Sequence, residues 1–144
     1  MKQCNEGKCS YDHEFPSFYG TLLLKNSAAC NFHLESDDNW YSSKQAPSTF
    51  DDAVATCASM IPGGRVMAVK TSATQEVLEA IYSKSESKFL WLGATDQEDE
   101  GNFQWIDSTG RPEEPVKSLK WYSGQPNNFD ENEHCVAASE QYGP

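Results

Sequence analysis

"FLWLGATDQEDEGNFQWID", residues 89–107, admits two incompatible readings, and the choice between them decides the fold. Asp96, Glu98, Glu100, Gly101 and Asp107 fall near positions 1, 3, 5, 6 and 12 of an EF-hand calcium loop. An EF-hand requires a helix on each side of that loop. Here the preceding "FLWLGAT" is a short apolar run of the kind that forms a buried strand. The following "NFQWID" alternates apolar and polar residues, the period of a second strand. Beyond it, "STGRP" is a turn. The acidic residues therefore sit between two strands, and the EF-hand reading fails on context.

Helices lie upstream. "STFDDAVATCASMIPGG", residues 48–64, places Phe50, Ala53, Val54, Cys57 and Ala58 at the spacing of one buried helical face. Ser48 and Asp51 have the spacing of a capping box, Asp52 adds negative charge at the positive helix end, and Pro62-Gly63-Gly64 stops the helix. "RVMAV" reads as a short strand. Thr71 or Ser72 caps a second helix whose Val77, Leu78, Ile81 and Tyr82 face inward. Arg111 to Gly124 has two prolines, two glutamates and no periodicity, which predicts a long ordered loop, and "HCVAAS" returns as a strand. A strand around Trp40 and Tyr41 opens the compact domain, so residues 40–144 form an α+β unit without internal repeats. Residues 1–39, with Cys4, Cys9 and Cys30, read as an irregular leader.

The totals restrict the function. A chain of 144 residues with 38% hydrophobic content and 17 aromatic residues can build one packed core. A net charge of -11 repels nucleic acid and anionic membrane surfaces and suits cations or neutral ligands. No apolar run is long enough to insert through a bilayer. The N-terminus lacks the apolar core of a secretory signal, and no glycosylation sequon occurs. Five cysteines point to an oxidising compartment, with an odd one left over.

A second acidic stretch, "WYSGQPNNFDENEHC", residues 121–135, gathers Gln125, Asn127, Asn128 and Glu133 around Pro126. Hard cations such as calcium (Ca2+) take several oxygen ligands, and carboxylates with amide carbonyls supply them. On composition alone the stretch reads sooner as a solvated acidic loop than as a calcium site.

The order of these features resembles the C-type lectin domain: an amphipathic helix bearing a cysteine, a second helix, "WLG", "EGNFQW", then "QPN" and "EHC". The resemblance spans about residues 40–144, with Trp91-Leu92-Gly93 on the family's core strand and Cys135 on its strand cysteine. It implies a principal calcium site, shared with sugar hydroxyls, built from Gln125, Asn127 and Glu133 behind a cis Gln125–Pro126 peptide. It also implies an auxiliary calcium site at Asp96, Glu100, Glu133 and Asn128. Asn128 stands where two-ion members commonly carry a carboxylate, so that second site is short of one charge.

Departures from the family pattern qualify the ligand. Family members with Glu-Pro-Asn tend toward mannose-type sugars and those with Gln-Pro-Asp toward galactose-type sugars, whereas this chain has Gln-Pro-Asn. Two amides offer two NH2 donors and one negative charge fewer. The family's Trp-Asn-Asp triplet, last two cysteines and final strand have no counterpart before Pro144, so the domain is expected to be C-terminally incomplete. By family pairing, Cys57 and Cys135 would then both lack their partners, at a cost of about 2–5 kcal/mol per lost disulfide. The expected result is a loosely folded chain with weak calcium binding.

Single residues add little chemistry of another kind. Cys57 is either a plain core residue or, by the resemblance, a disulfide cysteine. His134 beside Cys135 suggests zinc, but neighbouring strand residues point to opposite faces and do not readily share an ion. His13 and His33 have no nucleophile motif nearby, so no enzymatic activity is expected. Trp91, Phe103, Trp105 and Trp121 read as core rather than sugar platforms. The resemblance implies a secreted, extracellular lectin of innate immunity that binds glycans through calcium. The alternative is a related domain that binds a protein, or ice, without calcium-dependent sugar recognition.

Overall fold

The computed structural model describes residues 2–4, 15–22, 32–34, 39–60, 63–83 and 89–139. Two helices pack with two antiparallel sheets, an α+β arrangement. The strands are β1 (Lys2–Cys4), β2 (Phe15–Leu22), β3 (Phe32–Leu34), β4 (Asn39–Ser48), β5 (Arg65–Val66), β6 (Phe89–Thr95), β7 (Gln104–Ile106), β8 (Pro112–Pro115) and β9 (Cys135–Ser139). The helices are α1 (Phe50–Met60) and α2 (Ser72–Tyr82). One sheet runs β1-β9-β6-β7-β8 and the other β3-β4-β2-β5.

The apolar run at residues 89–95 is continuous because β6 is buried on both faces. Strand side chains alternate sides. Leu90, Leu92 and Ala94 of β6, with Val136 and Ala138 of β9, join the cluster that holds Val77, Leu78 and Ile81 of α2. Trp91, with Cys135 and Ala137, joins the opposite cluster with Phe50, Ala53 and Cys57 of α1. The Phe50 ring meets Trp91 edge-on, centroids 5.7 Å apart. Gly93 has no room for a side chain: its N–H donates to Met67 O at 2.8 Å, and a Cβ would stand 2.6 Å from Val66 O.

Both helices start on threonine. Thr71 accepts from Thr74 N while the Thr74 hydroxyl accepts from Thr71 N, closing a capping box. Thr49 Oγ1 accepts from Asp52 N at 3.1 Å, so the cap of α1 lies one residue beyond the expected Ser48, which closes β4. Ala58 is exposed, leaving Phe50, Ala53 and Cys57 to carry the buried face. Pro62, expected to stop α1, lies outside the described residues, as do Cys9, His13 and Cys30.

Three expectations need correction. Within Arg111–Gly124 the chain forms β8, which pairs with β7 at the sheet edge, where proline costs no ladder hydrogen bond. Ion pairs of Glu113 with Arg65 and of Glu114 with Lys70 fasten it from outside. Residues 1–39 are not wholly irregular, since β1 and β2 pair with distant strands, β9 and then β4 and β5, and β3 pairs with the next strand, β4. Cys135 is disulfide-bonded rather than partnerless, and Cys4 stands opposite it in the β1–β9 register. Cys57 is a buried thiol on α1.

Candidate metal and ligand site

Strands β6 and β9 are antiparallel, with a register shift between Leu92 and Thr95 that sets Thr95 opposite Cys135. One step further, Asp96 N–H donates to His134 O at 3.2 Å. The same register brings the two side chains together. Asp96 is buried, and its Oδ2 accepts Gly101 N–H at 2.9 Å. Oδ1 is left facing His134 Nδ1 at 3.2 Å. The turn that follows β6 then carries Glu100 back, so that its Oε2 lies 3.3 Å from the same nitrogen. Ligand atoms of Asp96, Glu100 and His134 all lie within 4.8 Å of one another. Exposure rises from Asp96 at 0% through His134 at 19% to Glu100 at 52%, so the group opens to solvent on the glutamate side.

The loop before β9 is a separate structure. Its Gln125–Pro126 peptide is cis. Gln125 N–H donates to Tyr122 O at 2.8 Å, while Gln125 Oε1 is buried and meets no hydrogen-bond donor among the described residues. Asn128 has φ 42, a left-handed conformation that asparagine tolerates better than most residues. Its Oδ1 accepts Glu133 N–H at 3.0 Å, and Glu133 Oε2 accepts Phe129 N–H at 3.3 Å. These two bonds fold residues 128–133 into a ring with a kinked turn at Phe129–Glu131, where Asp130 and Glu131 have positive φ. The Glu133 side chain is thereby drawn inward, leaving the residue 3% exposed. Asn127 is exposed, and Phe129 stands 60% exposed on the rim.

The family described as "Lectin C-type domain" matches residues 46–143. The chain belongs to the C-type lectin family. Salivary C-type lectin 2 of Aedes albopictus is 32% identical over 121 residues, covering 81% of this chain and 76% of that protein. The CD209 antigens of Macaca mulatta and Homo sapiens are each 31% identical over 110 residues, covering 76% of this chain. The match spans 23% of the length of each of those two relatives. No solved structure matches. The two helices and small antiparallel sheets fit the C-type lectin-like α+β fold. Among the described residues no helix is long and apolar enough to cross a membrane.

In this lectin domain the residues singled out from sequence fall into two groups. Asp96 and Glu100 come together, but their third neighbour is His134. Asn128 and Glu133, expected with them in one auxiliary set, are joined by the Glu133 N–H bond to Asn128 Oδ1 in the 128–133 ring. Gln125 and Asn127 lie in the loop just before that ring. His134 is the residue that sequence reasoning passed over. Weighed only against adjacent Cys135, which turns into the core, it had no partner. The signal was register: His134 precedes β9 as Asp96 follows β6.

Proposed function

We propose that this domain is a calcium-dependent carbohydrate-binding module in which Gln125, Asn127 and Glu133 hold the ion and share it with a glycan. The observation that carries the reading is Gln125 Oε1, a buried acceptor with no donor among the described residues. An amide oxygen in that condition costs about 1–3 kcal/mol unless something positive meets it. Buried Glu133 lies eight positions on in the same loop and supplies the charge that a hard cation needs. The residues present therefore fit calcium.

Bound calcium supplies coordination positions to a pair of sugar hydroxyls. The remaining work belongs to the chain. Amide NH2 groups of Gln125 and Asn127 donate to hydroxyl oxygens, and Glu133 accepts hydroxyl protons. The 128–133 ring fixes Glu133 beforehand, which lowers the ordering cost of binding. Two amides and one carboxylate leave mannose-type and galactose-type sugars both open. No step breaks or forms a covalent bond, so the role is recognition and not catalysis. The Aedes relative is by name a salivary lectin, which supports secretion.

The test is retention on immobilised mannose- and galactose-type glycans with calcium and with EDTA. Retention in calcium that EDTA abolishes is expected, and retention unchanged by EDTA overturns the reading. A second reading is favoured by Phe129 and Tyr122, exposed at 60% and 38% on this loop. Exposed aromatic residues are characteristic anchors of protein interfaces. A protein ligand (or ice) held in EDTA, with no glycan retained, selects that alternative.

A further inference from the structure

We propose that Asp96, Glu100 and His134 form a zinc site, separate from the calcium loop, with a fourth position open to water or a ligand atom. Calcium takes six to eight oxygen ligands and has little use for imidazole. Any ion placed between the Asp96 and Glu100 carboxylates here meets His134 Nδ1, which lies 3.2 Å from one oxygen and 3.3 Å from the other. Two carboxylates and an imidazole are a zinc donor set. The two separations from His134 Nδ1 fit, because zinc bonds of about 2.0–2.1 Å at tetrahedral angles put neighbouring donors about 3.3 Å apart, and the two carboxylates lie within 4.8 Å of each other.

The surroundings prepare the donors. Gly101 N–H occupies Asp96 Oδ2, which fixes the carboxylate and leaves Oδ1 for the ion. The backbone bond from Asp96 to His134 O locks the two ligands in register. Glu100 is half exposed and provides the entry path. The proposed calcium loop draws on Gln125, Asn127 and Glu133, so the two ions use different residues.

The experiment uses the full chain stripped of metal by a chelator, titrated with zinc chloride by calorimetry and with cobalt chloride by absorption. One zinc per chain is expected, undisplaced by a large excess of calcium. Bound cobalt should give a tetrahedral spectrum without a thiolate charge-transfer band. Altering residues that merely orient a metal ligand costs about 10–100-fold in affinity, so His134→Gln and Glu100→Gln should each lose at least about tenfold. Circular dichroism checks that both variants fold. In the unmutated chain, cobalt should shift the His134 ring protons, a readout that needs no variant. Absence of saturable zinc binding would mean a hydrogen-bonded His–carboxylate cluster only, and overturns the proposal. A thiolate band, affinity unchanged in His134→Gln, or unshifted His134 protons overturns it equally.

Discussion

Asp96 and His134 are joined twice, once through the backbone at 3.2 Å and once through their side chains at 3.2 Å. The double link pins the end of β6 to the start of β9, the two strands that carry both core clusters. A buried carboxylate is tolerated at that junction because each oxygen has a neighbour.

Removing that carboxylate should loosen the strand junction. Asp96→Ala deprives Gly101 N–H and the His134 ring of their acceptor together. Loss of one buried hydrogen-bond partner costs about 1–3 kcal/mol. Urea unfolding should show a midpoint lowered accordingly. A variant as stable as the unmutated chain would mean that the backbone ladder alone holds the junction.

Gly93 makes a sharper demand. A Cβ there would stand 2.6 Å from Val66 O, closer than real side-chain carbons approach, and backbone cannot yield as a side-chain tip does. Gly93→Ala must separate β6 from β5 or strain both. Overpacking of this kind costs about 1–3 kcal/mol. Thermal denaturation measures it directly, and an unchanged midpoint would show that β5 gives way freely.

These positions also show how far the sequence could be read. The second helix was fully legible, since Val77, Leu78, Ile81 and Tyr82 are all buried as their spacing requires. The strands at Trp91 and Trp105 were legible too, because burial on two faces and simple alternation leave different local patterns. The first helix start was missed by one residue, as Ser48 and Thr49 are chemically equivalent caps and only backbone direction separates them. Strand β8 was hidden by Pro112 and Pro115, which an edge position tolerates. Likewise β1 and β2 owe their form to partners more than a dozen residues away, which no local window contains. His134 needed the β6–β9 register, and that is a property of two distant segments together.

The cap can be tested against its neighbour. Thr49→Ala removes the acceptor of Asp52 N–H and should cost about 1 kcal/mol. Ser48→Ala leaves that bond in place and should cost distinctly less. Paired denaturation curves decide, and equal losses would argue against the Thr49 cap.

Asp107 predicts a pH dependence. Its Oδ1 accepts from Thr109 Oγ1 and Thr109 N at 2.7 Å each, and from Arg111 N at 3.1 Å. The Thr109 hydroxyl, then the Arg111 and Thr109 backbone N–H groups, hold the carboxyl below its ordinary value. A lowered folded-state pKa contributes stability above the ordinary aspartate value, near 3.9, and that stability is lost as pH falls through the depressed value. Asp107→Asn should therefore reduce stability at neutral pH and flatten its change through the acid range. Denaturation at a series of pH values reads this, and parallel curves for the two chains would exclude it.

Charge in the Gln125 loop sets the last expectation. Gln125, Asn127 and Glu133 bring one carboxylate to the proposed calcium site, and ligand charge count is a main determinant of calcium affinity. Glu133→Gln removes that charge and also weakens the acceptor of Phe129 N–H, so calcium binding and glycan retention should both fall by at least about tenfold. Gln125→Glu acts in the opposite sense, replacing a buried neutral oxygen with a charged one where no donor among the described residues competes for it. It should tighten calcium on the order of tenfold. It also exchanges an NH2 donor for an acceptor facing the sugar, so the ranking of glycans should change while the EDTA sensitivity remains. Calorimetry with calcium, followed by the glycan panel, separates the two effects. Unchanged calcium affinity in both variants would place the ion elsewhere and remove the loop from the site.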